Sequence, residues 1–134
     1  MLGEQISEGR GKRTARRVVS TTDQQFKVEV SFEEMTKLLG VDGMNLGTYI
    51  SFPKPDGSLH GDGQGVFATT DGEMVTWKGI GVGRFGAAGA VSYRGTLSFT
   101  TTSEKLYKIN GMAGIFEFEV DSNGNTQSKI WQWK

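Results

Sequence analysis

Residues 61–101 read GDGQGVFATTDGEMVTWKGIGVGRFGAAGAVSYRGTLSFTT. Two runs of alternating apolar and small residues meet across Asp71-Gly72, and an Asp-Gly pair between such runs is a strong signal for a β-hairpin. A third alternating run follows the glycine-rich turn at 86–89. The stretch therefore predicts three antiparallel strands that follow one another along the chain.

Glycine recurs at every second position in the first two of these strands. The first strand has Gly61, Gly63 and Gly65, and the second has Gly79, Gly81 and Gly83. Side chains of a β-strand alternate between two faces, so each set of glycines lies on one face. Such a face leaves a groove or lets the strand coil sharply, as a small sheet must before its edges can meet.

Alternating runs continue on both sides of this stretch. Eight runs can be distinguished, covering roughly 10–20, 25–39, 44–53, 58–70, 73–85, 90–102, 112–121 and 125–134. A helix capped by Ser31 and Glu34 is an alternative for part of the second run, but we favour a continued, bent strand because apolar residues alternate there. Short turns join all the runs and leave no segment long enough for a crossover helix, which indicates an antiparallel meander.

We predict an all-β fold in which this eight-stranded, antiparallel up-and-down meander closes into a barrel. One short helical turn is expected near 103–110, with Ser103 as its cap and Asn110-Gly111 at its end. A chain of 134 residues has the usual length of one domain. Residues 1–134 are therefore expected to form a single β-barrel domain, in which residues 1–9 could form a flexible N-terminal arm.

The amino-acid composition argues against several classes of function. Lys plus Arg and Asp plus Glu both number 15, so the net charge is zero and no overall field attracts nucleic acid or an anionic membrane. The chain has no cysteine, which excludes disulfides and thiolate chemistry, and it has no apolar run of about 18 residues. We therefore expect a soluble, non-exported, cytoplasmic protein with neither nucleic acid nor a membrane as a partner.

A basic run precedes the first valines of the chain and comprises Arg10, Lys12, Arg13, Arg16 and Arg17. One interpretation is a phosphate-binding patch. The other is a solvated strand whose charges protect an exposed edge from pairing with other chains. We favour the second interpretation, because acidic residues nearby cancel the field of the basic ones.

Two motif-like features carry no chemistry by themselves. The glycines at 79–83 suggest a nucleotide-binding loop, but that fingerprint needs a following helix, and strands lie on both sides here. His60 is the only histidine. It has Asp62 at strand spacing but lacks the second histidine or the cysteine that a metal shell or a nucleophile would require. We expect His60 at the surface near the turn at 53–57, no metal site and no cofactor.

Several polar and aromatic residues share the strand faces opposite the large apolar ones. The candidate ligand-binding residues among them are Tyr49, Gln64, Trp77, Arg94 and Glu117. In an eight-stranded barrel one strand face points inward, where space for a small ligand exists. An inward Arg94 and Glu117 would form a buried ion pair, which is costly to bury. The alternative, which is the commoner arrangement, places both on the solvent face.

The chain from Leu46 to the C-terminus resembles a group of small uncharacterised microbial proteins. Its segment LYKINGMAGIFEFEVDSNGN, at 106–125, is similar to the strand, short helical turn and hairpin of the allene-oxide-cyclase-like barrel. The resemblance implies an eight-stranded barrel that associates into homo-dimers or trimers. Its members range from cyclases of fatty-acid epoxides to proteins of no known activity. No catalytic motif of the cyclases matches this sequence residue by residue, so no catalytic residue is carried over.

Three functions are compatible with these patterns. The first is a protein that binds a small hydrophobic or anionic molecule inside the barrel, with Arg94 holding an anionic or carbonyl end. The second is a cyclase or isomerase for a small hydrophobic substrate, with Glu117 as general base and Arg94 stabilising developing negative charge. The third is an assembly protein in which Trp131 and Trp133 form a subunit interface. We favour small-molecule binding.

Overall fold

The computed structural model describes residues 1–23 and 25–134. Its strands are β1 (Leu2–Thr22), β2 (Gln25–Leu38), β3 (Val41–Pro53), β4 (Leu59–Thr69), β5 (Met74–Phe85), β6 (Val91–Thr100), β7 (Ala113–Val120) and β8 (Asn125–Trp133). Neighbouring strands pair antiparallel in sequence order, and β8 pairs with β1. The predicted all-β, eight-stranded meander barrel is thus confirmed.

The first strand differs most from its predicted bounds. It begins at Leu2 instead of near residue 10, and its first half pairs with β8 from Leu2 opposite Trp133 to Lys12 opposite Asn125. Residues 2–9 are therefore part of the barrel wall instead of a flexible arm. Apolar alternation is weak there because Gly9 and Gly11 occupy inner-face positions without contributing side chains.

The strands are steeply tilted. Cross-strand partners can be followed around the barrel from Leu38 on β2 through Ser7, Ile130, Phe116, Gly95, Gly81, Gly61 and Ser51 back to Val28 on β2. After one circuit of the barrel, the path therefore reaches β2 ten residues away from Leu38, where it began. Eight strands with this stagger tilt by roughly 40° and enclose an interior wide enough for side chains and one small ligand.

The glycines predicted to share one face lie on the inner face, and most of them lie beneath aromatic rings, whereas Gly79 lies beneath Leu97. A Cβ on Gly61 would lie 2.8 Å from Tyr93 Cε1, and a Cβ on Gly83 would lie 2.5 Å from the same atom. A Cβ on Gly65 would lie 2.5 Å from Trp77 Cε2. These distances are too short for packed atoms, so the rings occupy the space that side chains at these positions would need.

The segment between β6 and β7 closes one end of the barrel, called the plugged end below. It contains a 3₁₀ turn at Tyr107–Gly111, which is the short helical turn predicted near 103–110. The predicted cap Ser103 lies before this turn: its Oγ accepts a hydrogen bond from the Leu106 N–H at 3.3 Å, and Leu106, not Ser103, is the N-cap residue of the 3₁₀ turn. Leu106 and Ile109 are fully buried and pack in one cluster with strand residues that include Phe99.

The opposite end, called the hairpin end, carries the turn between β1 and β2. Strand β8 pairs with β1 only as far as Lys12, so β1 continues beyond its partner with one edge free. This part of β1 contains the last arginines of the basic run and is exposed, as expected for a charge-protected edge strand. The arginines Arg13 and Arg16 therefore lie at the hairpin end.

Gly65→Ala is expected to destabilise the barrel by about 3 kcal/mol, because the added methyl group would overlap the Trp77 ring and the Leu46 carbonyl oxygen. Gly111→Ala is the matched control, since no heavy atom lies within 4 Å of its Cβ position, and its cost should stay within about 0.5 kcal/mol. Urea denaturation measures both free energies of unfolding. Equal values for the two variants would contradict the ring-on-glycine packing.

Candidate functional site

A cavity lies inside the barrel. Its volume is about 90 Å³, and it is partly open to solvent. Residues from all eight strands line it, and most of them are aliphatic, aromatic or glycine. Apart from two tyrosines, the polar side chains in the lining are Ser7, Glu34, Thr36, Asn45 and Ser128. The interior can therefore accept a mostly apolar molecule and offers it a few fixed polar groups.

Aromatic rings form the wall of the cavity towards the hairpin end. Tyr49 meets Tyr93 edge-on, with ring centroids 5.4 Å apart, and it meets Phe118 edge-on at 5.8 Å. Phe32 packs 4.8 Å from Phe118 and 6.3 Å from Trp77. Tilted and edge-on pairs at these distances are mutually favourable and fix one another's orientation. This wall is consequently formed before any ligand arrives.

Glu34 brings a carboxyl group into this apolar interior. Its side chain extends from β2 across β1, where Gly9 and Gly11 leave the necessary room, and is completely buried. Thr126 Oγ1 donates a hydrogen bond to Oε2 at 2.8 Å, and Ser128 Oγ donates to Oε1 at 2.6 Å. The two glycines of β1 thus allow a carboxyl group on β2 to be held by β8.

Burial raises the pKa of the Glu34 carboxyl above its ordinary value of 4.5, and the hydrogen bonds from Ser128 and Thr126 oppose this rise. None of the ion pairs in the described part of the chain includes Glu34. A protonated carboxyl group keeps one O–H to donate while both oxygens still accept hydrogen bonds. In its protonated form, Glu34 can therefore donate a hydrogen bond towards the cavity while it accepts those of Thr126 and Ser128.

Two further hydrogen bonds position aromatic residues of the wall. Trp77 Nε1 donates to Asn45 Oδ1 at 2.8 Å, and the Tyr93 hydroxyl is 2.7 Å from the Ser51 hydroxyl. Burial raises the pKa of the Tyr93 and Tyr49 hydroxyls above that of an ordinary tyrosine. Both tyrosines therefore remain neutral near pH 7 and serve as uncharged polar groups.

The five candidate residues from the sequence are divided between the two faces of the barrel. Tyr49 and Trp77 line the cavity. Gln64 lies on the outer face, beside two shallow surface grooves. Arg94 also lies outside, where it pairs with Glu117 at 3.7 Å and more closely with Glu119 at 2.7 Å. The solvent-face alternative for Arg94 and Glu117 is the one that the structure shows, so this pair cannot contact a ligand inside the cavity.

The sequence does contain a signal for Glu34, although it was not among the candidates. Once residues 25–39 are read as one strand, Glu34 falls on the same face as Phe32 and Leu38, which are buried. A charged residue in the middle of an apolar face is unusual and is often functional. Asn45 and Ser128 carry no comparable signal, because small polar residues are frequent on either face of a strand.

The remaining sequence features lie outside the cavity. His60 is partly exposed near the turn that follows β3, and its ring lies 4.9 Å from that of Phe52. Trp131 is half-buried and Trp133 is exposed; their place in a subunit interface stays a prediction. Over residues 1–23 and 25–134, no group of three His, Cys, Asp or Glu side chains could hold a metal ion. The same residues contain no helix with the length and apolar character needed to span a membrane.

Comparison with known proteins identifies the fold. No family model and no curated protein matches the sequence. A protein of unknown function from Clostridium acetobutylicum superposes with a TM-score of 0.82 at 14% identity, covering 96% of each chain. A β-barrel-like protein from Acinetobacter baumannii gives 0.81 at 14% identity, covering 100% of this chain and 96% of the other. An enzyme from Penicillium herquei gives 0.69 at 18% identity, covering 96% and 92%.

Glu34→Gln is expected to remove a pH dependence from the stability of the barrel. Because burial raises the pKa of Glu34, the folded protein binds this proton more tightly than the unfolded chain does. The stabilisation is fully present below the ordinary value of 4.5 and is lost as the pH rises through the raised pKa. As the pH rises, urea denaturation should show the free energy of unfolding of the wild type falling relative to that of the variant. A constant difference at every pH would contradict the raised pKa.

Proposed function

We propose that this protein binds a small, mostly apolar molecule inside the barrel. The supporting observation is the apolar lining of the cavity, with its preformed aromatic wall and the buried carboxyl group of Glu34. Ligand sites in proteins combine such a lining with a few placed polar groups. A cavity of this kind needs no cofactor to bind its ligand.

The polar groups suggest what the ligand carries besides apolar surface. When it is protonated, Glu34 can donate one hydrogen bond, which suits a carbonyl, ether or epoxide oxygen. Burial, which disfavours the charged form of Glu34, also disfavours an anionic group in its vicinity. The Tyr49 hydroxyl, at the other side of the cavity, can donate or accept. The proposed ligand is therefore an apolar molecule with at least one oxygen acceptor.

Binding of N-phenyl-1-naphthylamine, an uncharged fluorescent dye, tests the proposal. Wild-type protein should bind it, and Leu97→Trp should weaken the affinity at least tenfold, because Leu97 lines the cavity and a larger side chain there fills it. Thr96→Trp is the matched control: the neighbouring residue on β6 is exposed on the outer face. Circular dichroism verifies that both variants are folded.

Fluorescence titration of the three proteins separates interior binding from surface binding. An affinity lost only in Leu97→Trp supports binding in the cavity. If the wild type fails to bind the dye, or if Thr96→Trp weakens binding while Leu97→Trp does not, the cavity is not the binding site and the proposal is wrong.

The buried carboxyl group favours a second candidate function, an isomerase or cyclase that acts on the bound molecule. Glu34 in its neutral form can protonate an epoxide or carbonyl oxygen, and the resulting carboxylate can take a proton back from carbon. The proton is returned, so no co-reactant is consumed. The sequence resemblance to allene-oxide-cyclase-like barrels and the fold shared with the Penicillium herquei enzyme are consistent with this candidate.

If the protein is such an isomerase or cyclase, substitution of Glu34 and of Glu117 should have different effects on turnover. In a mass-spectrometric assay of apolar epoxides and enones for isomeric products, Glu34→Gln should slow turnover at least a hundredfold, since a positioned acid contributes about 10²–10⁴-fold. Glu117→Gln, on the outer face, should leave turnover unchanged. Turnover that survives Glu34→Gln or is lost in Glu117→Gln would eliminate Glu34 as the acid.

A further inference from the structure

A β-bulge in β1 brings two arginines onto the same face of the strand. Arg13 pairs with Phe32, whereas Ala15 pairs with Ser31 and Arg16 with Val30, so one extra residue is inserted between Arg13 and Ala15. In a regular strand, residues three apart point to opposite faces. The bulge shifts the alternation by one and places Arg13 and Arg16 on the inner face together, as bulges near functional sites often do.

These two arginines lie beside the aromatic wall of the cavity. Arg16 is in one cross-strand row with Val30 and Tyr49, and Phe32 is the cross-strand partner of Arg13. Tyr49 and Phe32 both line the cavity. Burial, followed by the charge of Tyr93, raises the pKa of the Tyr49 hydroxyl, and the charges of Arg13 and Arg16 oppose this rise. By their register, both arginines lie beside the hairpin end of the cavity without lining it.

The two positive charges are not neutralised by the protein. In the described ranges, neither Arg13 nor Arg16 has a carboxylate oxygen within 4 Å, whereas the neighbouring Arg17 pairs with Glu29 at 3.3 Å. The Arg13 guanidinium lies against the backbone of Gly124, in the turn before β8, and a Cβ on that glycine would be 3.3 Å from its Nη2. Two unpaired guanidinium groups on one face form a suitable site for a single anionic group.

We propose that Arg13 and Arg16 bind the anionic head of an amphiphile whose apolar part lies in the cavity. This inference rests on the proposed binding function and specifies its ligand class: an apolar molecule with a carboxylate, sulfonate or similar anionic group at the hairpin end. Arginine suits this task because its planar guanidinium group binds such oxyanions through two parallel hydrogen bonds. Glu34, nearer the plugged end, then faces the uncharged part of the ligand.

A matched pair of dyes tests the proposal. N-phenyl-1-naphthylamine is uncharged, and 1-anilinonaphthalene-8-sulfonate has the same skeleton with one sulfonate group. The double variant Arg13→Gln/Arg16→Gln should weaken binding of the sulfonate dye about tenfold and leave binding of the uncharged dye within twofold, since it removes only the charge-assisted hydrogen bonds. Arg13→Lys/Arg16→Lys, which keeps both charges, should retain more of the sulfonate binding than the glutamine variant.

The control is Arg10→Gln/Arg17→Gln, which removes two charges from the same strand on its outer face, where Arg10 is opposite the exposed Met35 and Arg17 opposite Glu29. It should change the affinity for neither dye by more than twofold. Equal loss of sulfonate binding in both double variants, or no loss in Arg13→Gln/Arg16→Gln, overturns the anion site while the apolar cavity stands. Failure of the wild type to bind the uncharged dye overturns the cavity proposal and this inference with it.

Discussion

The barrel depends on aromatic rings that lie directly on glycine backbone. Eight strands with a stagger of ten residues must coil strongly, and their inner faces converge on a limited volume. Glycines at alternate positions of β4 and β5 remove side chains from that volume, and Tyr93 and Trp77 fill part of it. The remainder is the cavity. The same glycines therefore permit closure of the sheet and leave space for a ligand.

Two further glycines, Gly9 and Gly11 of β1, make room for the buried carboxyl group of Glu34. They let the Glu34 side chain cross β1 and reach the hydroxyls of Thr126 and Ser128. A carboxyl group in an apolar interior costs stability that an apolar side chain of similar size would not cost. Packing alone gives no reason for it, whereas ligand binding or proton transfer does. Arg13 and Arg16 add two positive charges beside the hairpin end of the cavity.

Sequence patterns identified the strands well, because alternation and Asp-Gly turns are local signals. They could not identify the inner face, which depends on how the whole sheet curls. Arg94 and Glu117 satisfied the pattern of an interior pair, yet they lie on the outer face. There Arg94 is exposed to solvent and pairs with Glu119, so its charge avoids the cost of desolvation. The sequence offered a phosphate-binding patch or a charge-protected edge for the basic run, but it could not show that Arg13 and Arg16 share one face. A bulge reverses the alternation between Arg13 and Arg16, and nothing in the local sequence marks the inserted residue.

An NMR titration observed at the tryptophan indole N–H groups tests whether the barrel interior holds a small apolar molecule. The chain has three tryptophans, and only Trp77 lines the cavity, whereas Trp131 and Trp133 are on the outside near the C-terminus. Titration with N-phenyl-1-naphthylamine should shift the Trp77 indole resonance, whose N–H is hydrogen-bonded to Asn45, and leave the other two in place. Shifts confined to Trp131 and Trp133, or no shift at saturating dye, would contradict a ligand site inside the barrel.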